Sequence, residues 1–193
     1  MLTFATGNSH KFQEIKAICQ EYGIELRQEK LELEEISSLD AKKIALHKAR
    51  QAFEILKQPL IAEDTGFYFK AFKGFPGTMP KRVYESIGYA GILKLLKGEN
   101  REAYSQCTIC LMESPENYKF FEGRLEGSIT EKVVKPKADV MPYERIFTPQ
   151  GYKKAMGELS RKEKNEISHR AIAARKMAEW LKEKAIHGLV DSI

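Results

Sequence analysis

The stretch Leu2-Thr3-Phe4-Ala5-Thr6-Gly7-Asn8-Ser9-His10-Lys11 sets the reading of the whole chain. An apolar run short enough for a β-strand breaks at Thr6-Gly7-Asn8, and a helical period begins at once. Phe12, Ile15, Ile18, Cys19 and Tyr22 recur at steps of three and four until Gly23 stops the pattern. Strand, glycine turn and helix N-terminus open an α/β unit. They also make an anion site from main chain alone, because the free N–H groups of the first helical turn and the positive end of the helix dipole face the turn. Lys11 lies one turn in, where its ammonium can close over a phosphate. A plainer description fits the same residues: Asn8 or Ser9 caps the helix and Lys11 solvates it. This segment alone leaves both open.

Further along, Ile24 to Leu26 reads as a second strand, followed by an acidic stretch from Glu29 to Asp40 that includes Glu34 and Glu35. It is either a solvated loop or the source of a carboxylate that holds a divalent metal. Leu39 to Leu56 reads as a helix with Ala45, Ala49, Ala52, Phe53 and Leu56 on one apolar face and Asp40 in its first turn. A short apolar strand, Leu60-Ile61-Ala62, then runs into Glu63-Asp64-Thr65-Gly66. Carboxylates at the C-terminal tip of a buried strand belong at the ligand edge of an open α/β sheet, and hard oxygen ligands there suit Mg²⁺. Asp-Thr-Gly is equally good turn chemistry. Phe67-Tyr68-Phe69, a rigid turn at Gly74-Phe75-Pro76-Gly77 and one or two short helices over Val83 to Leu96, interrupted at Gly88 and Gly91, follow. Tyr104 to Leu111 and Tyr118 to Gly123, split by Ser114-Pro115-Glu116-Asn117, read as a hairpin that Arg124 to Val134 extends. After a loop from Lys135 to Arg145, the chain closes in a helix faced by Ile167, Ala171, Ala174, Met177, Ala178 and Leu181, with Ser168 as its cap.

At 193 residues the chain suits one α/β domain, or two lobes sharing a core, over positions 1–193. A net charge of +5 from 32 basic and 27 acidic residues gives a mixed surface, which suits an anionic small molecule better than nucleic acid. No apolar run reaches membrane-spanning length and no signal-peptide layout is expected. Three cysteines, an odd number, point to a reducing cytoplasm. Cys107-Thr108-Ile109-Cys110 matches C-x-x-C, but residues three apart on a strand face opposite sides, so the pair is read as buried packing.

Four separated segments together resemble the inosine triphosphate pyrophosphatase family: Thr6-Gly7-Asn8-x-x-Lys11, Glu63-Asp64-Thr65-Gly66 with Phe75-Pro76-Gly77, Gly151-Tyr152, and Glu163-Lys164-Asn165-x-x-Ser168-His169-Arg170. The resemblance implies an elongated mixed β-sheet flanked by helices, two lobes with a central cleft, and a homodimer. It implies Mg²⁺-dependent hydrolysis of non-standard purine nucleoside triphosphates (ITP, dITP, XTP) to the monophosphate and pyrophosphate. In these terms Thr6, Gly7, Asn8 and Lys11 cradle the triphosphate. Asp64 accepts the proton of the attacking water, and Glu35, Asp64 and Glu63 hold the metal, with Glu34 an alternative to Glu35. Lys164 contacts phosphate or base, and Ser168, His169 and Arg170 read the purine. Arg170 is the expected discriminator, since a guanidinium donates to a 6-oxo group and meets a 6-amino group without an acceptor.

The resemblance thins at Met141-Pro142-Tyr143-Glu144-Arg145, where the family carries an aromatic and glycine-rich run. Met141, Tyr143 and Glu144 take the base-binding positions there, with Met141 replacing the stacking ring. Thr78-Met79-Pro80-Lys81-Arg82 likewise replaces the family's tyrosine-bearing sequence. A pyrophosphatase with altered base preference and a non-catalytic nucleotide-binding protein are the alternatives these departures raise.

Overall fold

The sheet is built around the strand that carries the acidic pair. The computed structural model describes residues 1–134 and 139–190, with side chains through residue 185; Lys135 to Ala138 of the expected loop and the tail positions 191–193 lie outside the described residues. In chain order the elements are β1 (Leu2–Ala5), α1 (Ser9–Glu21), β2 (Leu26–Glu29), α2 (Ala41–Leu56), β3 (Leu60–Phe69), β4 (Pro76–Gly77), α3 (Pro80–Leu95), β5 (Glu102–Met112), β6 (Tyr118–Ile129), β7 (Phe147–Pro149), α4 (Arg161–Ile167) and α5 (His169–Val190). The strands form one mixed sheet in the order β2-β1-β3-β5-β6-β7, with β4 paired to the far end of β3. β1 runs parallel to β2 and β3, and the remaining pairings are antiparallel.

The expected strand–turn–helix opening is present. Asn8 is the N-cap of α1, its side chain accepting from the Lys11 backbone N–H at 3.1 Å, and Phe12, Ile15, Ile18 and Cys19 are buried. The second strand begins later than expected. Gly23 and Ile24 are used to close α1, donating to the carbonyls of Gln20 and Cys19, so pairing with β1 starts only at Leu26. Asp40 caps α2 rather than sitting in its first turn, accepting from Lys42 N at 2.9 Å. α3 is two short helices that meet at a break at Gly88, whose backbone (φ 58°, ψ −170°) is not helical and is open to glycine.

The largest departure concerns β3. Glu63-Asp64-Thr65-Gly66 is neither a strand tip nor a turn; it lies in the middle of a ten-residue strand. The cause is β5, which pairs with every position from Leu60 to Phe69 and supplies the hydrogen bonds that hold the polar stretch extended. β1 pairs only with Leu60 and Ile61 before it turns into α1. Glu63 and Asp64 therefore stand just past the point where β1 leaves the sheet.

Alternation along β3 and β5 divides the core. One face packs Phe4, Ile61, Cys107, Ile109 and Phe121 against Phe12, Ile15 and Ile18 of α1 and Ala174 and Met177 of α5. The other packs Leu60, Ala62, Cys110 and Met112 against Ala45, Ala49 and Ala52 of α2. Cys107 and Cys110 thus lie in opposite layers, and all three cysteines are buried free thiols. A third cluster, including Phe67, Phe69, Ile92, Ile146 and Phe147, fills the other end of the sheet. α5 crosses β6 at Gly123, where a Cβ would fall 2.0 Å from the His169 carbonyl oxygen and 2.5 Å from the Ala173 nitrogen. Only a glycine admits the helix that closely. Among the described residues no helix is long and apolar enough to cross a membrane.

Candidate active site

Successive side chains of a strand point to opposite faces, so β3 sends Glu63 one way and Asp64 the other. Glu63 enters a saturated polar network. Its Oε1 pairs with Lys11 Nζ, and its Oε2 accepts from Thr65 Oγ1 at 2.6 Å and from Cys107 Sγ at 3.4 Å. Arg170 Nε stands 3.9 Å from the same Oε2, while Nη1 binds Glu14 at 2.5 Å and Nη2 donates to Thr65 Oγ1 at 3.3 Å. Burial alone would raise Glu63, but Lys11 and Arg170 outweigh it and hold the carboxyl well below the usual range. Burial disfavours the Arg170 charge too, and Glu14 and Glu63 overcome it.

Asp64 has the opposite setting. Its Oδ1 accepts from Lys48 Nζ at 3.3 Å, and its Oδ2 is buried with no partner among the described residues. Burial raises its carboxyl, and the neighbouring Glu63 charge adds to the rise against Lys48. Lys48 also binds Glu35 Oε1 at 2.7 Å, a hydrogen bond that lowers Glu35. Lys48 is itself raised: burial works against its charge, and Asp64 and Glu35 prevail.

The glycine turn borders this pair. Thr6 Oγ1 accepts from the Asn8 backbone N–H at 3.2 Å, Gly7 and Asn8 are exposed, and a Cβ on Gly7 would meet nothing within 4 Å. Open space thus lies over the α1 N-terminus, and Lys11 acts electrostatically on Asp64 and Glu35 as well as on Glu63.

The late motif divides. Lys164 and Glu144 are brought together at 2.7 Å, and the Tyr143 ring lies against Phe67 at 4.7 Å with its hydroxyl buried and unpartnered among the described residues. Burial pushes that hydroxyl up. Met141 is half-buried at the start of the same turn, its carbonyl accepting from Glu144 N. Ser168 caps α5 by accepting from Ala171 N at 3.0 Å. His169 Nδ1 meets Ser105 Oγ at 2.9 Å and its Nε2 has no partner among the described residues; burial, with the Arg170 charge, holds the ring well below the ordinary histidine range, so it is neutral.

Two of the predicted site residues point into the protein. The Arg170 side chain is 1% exposed and its guanidinium is turned toward Glu14, Thr65 and Glu63. The Glu63 oxygens are committed on the face opposite Asp64. Among the described residues no three His, Cys, Asp or Glu side chains converge on one point. Glu35 and Asp64 do converge, through the Lys48 ammonium, and Asp64 keeps one oxygen without a partner. Two carboxylates plus substrate phosphates fit the modest protein ligand set of Mg²⁺.

Lys48 and Glu14 are the site residues that sequence reasoning missed. Lys48 does carry a signal: it falls three residues after Ala45 and four before Ala52, so it lies on the buried stripe of α2. Glu14 has none, since its partner is 156 positions away.

An open α/β sheet, with a glycine turn and helix N-terminus set beside an acidic strand, defines the class. Within it, the Ham1 family model matches residues 2–180, and the chain belongs to that family. A dITP/XTP pyrophosphatase of Methanopyrus kandleri is 40% identical over 93% of this chain and 95% of its own. An inosine triphosphate pyrophosphatase of Yarrowia lipolytica is 37% identical over 95% of this chain and 97% of its own. Among solved structures, a Ham1 protein from Coxiella burnetii superposes with a TM-score of 0.82 at 26% identity, covering 94% of this chain and 98% of that one.

Proposed function

We propose that the chain hydrolyses non-standard purine nucleoside triphosphates such as dITP, ITP and XTP to the nucleoside monophosphate and pyrophosphate. The observation that carries this reading is Asp64: a raised, buried carboxyl with one unpartnered oxygen, beside two lysines and an uncovered helix N-terminus. A base with that setting takes a proton from water as the water oxygen attacks the α-phosphorus and the bond to the bridging oxygen breaks. Lys11, Lys48 and the N–H groups around Thr6, Gly7 and Asn8 offset the charge on the triphosphate and the departing pyrophosphate. Glu35 and Asp64 would hold Mg²⁺, which supplies further charge neutralisation when bound.

Specificity falls to the other end of the sheet. We assign the base to the region of Met141, Tyr143, Glu144, Lys164, Ser168 and His169, within a cleft between two lobes. In the tautomer of the neutral His169 whose Nδ1 accepts from Ser105, Nε2 carries the proton, a donor that suits a 6-oxo group and leaves a 6-amino group unmatched. Arg170 then acts from behind, fixing Thr65 and Glu63 rather than touching the ring. A homodimer working in a reducing cytoplasm completes the proposal, in keeping with three free thiols.

The test is pyrophosphate release from dITP, XTP, ATP, GTP and UTP, with and without Mg²⁺. Release from dITP and XTP at least about a hundredfold above ATP is expected, as a buried donor left unmatched costs about 1–3 kcal/mol and several contribute. Equal release from all five sinks the base assignment, and tight dITP binding without any release sinks the enzymatic one.

A further inference from the structure

Tyr68 shares the Asp64 face of β3, two pleats along the strand. Its ring does not stand off the sheet but leans back toward Asp64. A Cβ built on Gly66 would fall 2.4 Å from Tyr68 Oη, so the hydroxyl hangs over the residue between the two. Glycines border the ring elsewhere too, with a Cβ on Gly74 lying 3.4 Å from Cδ1 and one on Gly77 lying 3.9 Å from Cε1. The ring stacks on Tyr104 of β5, with centroids 4.6 Å apart and planes 7° from parallel. From β6, the Arg124 guanidinium lies 3.4 Å from the Tyr104 centroid. Three neighbouring strands therefore fix this ring in place.

The hydroxyl is the part without an explanation. It has no hydrogen-bond partner among the described residues, and it is not one of the buried unpartnered atoms, so it opens to solvent. Here a rigid donor is held free on the strand face that carries Asp64 and its Lys48 partner.

We propose that Tyr68 is a further substrate-contacting residue, whose hydroxyl donates a hydrogen bond to a non-bridging phosphate oxygen of the nucleoside triphosphate bound at Asp64. This rests on the pyrophosphatase reading above. Lysines offer phosphate a mobile charge, whereas a stacked phenol offers one fixed donor direction, which selects the rotation of the phosphate relative to the attacking water. Gly66 is the residue that makes room for it.

Tyr68→Phe removes the oxygen and keeps the stack, so the thermal midpoint is expected to stay within about 1 °C of wild type. The kcat/KM for dITP is expected to fall about tenfold or more, the value of a hydrogen bond to a charged acceptor. A value within twofold of wild type overturns the proposal. A titration of both proteins with inorganic pyrophosphate, which needs no turnover, keeps the two readings separable. The variant is expected to bind it about tenfold more weakly. If the wild type proves unable to turn over dITP, the pyrophosphatase reading fails and this titration decides alone. Equal affinity, or no binding by either protein, then overturns the Tyr68 contact.

Discussion

Glu63 and Asp64 are neighbours on one strand, yet the two faces of β3 treat them oppositely. On the first face a carboxylate is met by Lys11, Thr65, Cys107 and Arg170, and Glu14 closes the far side of the guanidinium. On the second, Asp64 has one lysine and an oxygen left over. One face is a finished electrostatic structure and the other is an unfinished one. The contrast teaches that a site need not be strained overall to be reactive; it needs one incomplete group held against a complete one.

That contrast can be broken from either side. The largest effect is expected at the unfinished face: Asp64→Asn should lower kcat for dITP by about a thousandfold or more while leaving the thermal midpoint nearly unchanged, because ionised Asp64 is buried at a cost. Near-normal turnover in the variant refutes its role as base. At the finished face the effect moves to stability. Glu63→Gln leaves the Lys11 and Arg170 charges buried with less compensation, and should cost about 3 kcal/mol, seen as a fall in thermal midpoint of roughly 6–12 °C. A midpoint within 2 °C of wild type shows that the network is not structural.

Smaller, but sharper in sign, is the response to pH. Glu63 is held low in the folded chain, so its contribution is complete above the ordinary carboxyl value near 4.3 and is lost as pH falls below it. Asp64 is held high, so its ionisation in the folded chain costs stability as pH rises from near 3.9 through its raised value. The thermal midpoint of wild type should therefore drop between pH 5 and pH 3, and Glu63→Gln should drop less. Asp64→Asn should gain on wild type as pH rises above about 3.9. Parallel curves for all three proteins contradict the opposite settings of the two carboxyls.

How far the sequence showed this depends on the range over which each feature is decided. The β1–α1 opening was legible because the apolar period and the Asn8 cap are written within a dozen residues. The length of β3 was not, because Glu-Asp-Thr-Gly has the local chemistry of a turn and only the ladder to β5, some forty positions on, holds it extended. Arg170 was legible as important but not as buried. Its setting depends on Glu14 from α1 and Glu63 and Thr65 from β3, a conjunction that no window of sequence contains. Lys48 falls on an apolar helix stripe, but lysines on helices are ordinarily solvent-facing, so its residue type conceals its position.

The near approach at Gly123 has a consequence for how the molecule is made. α5 brings its backbone against the sheet there, and it delivers Arg170 to Glu14, a residue synthesised 156 positions earlier. At ribosomal speeds of about 5–20 residues per second, that is roughly 10–30 s during which Glu14 waits for its counter-charge. The finished half of the site is the last to close during translation, so the nascent protein holds a partly dressed Glu63 until almost its whole length has emerged.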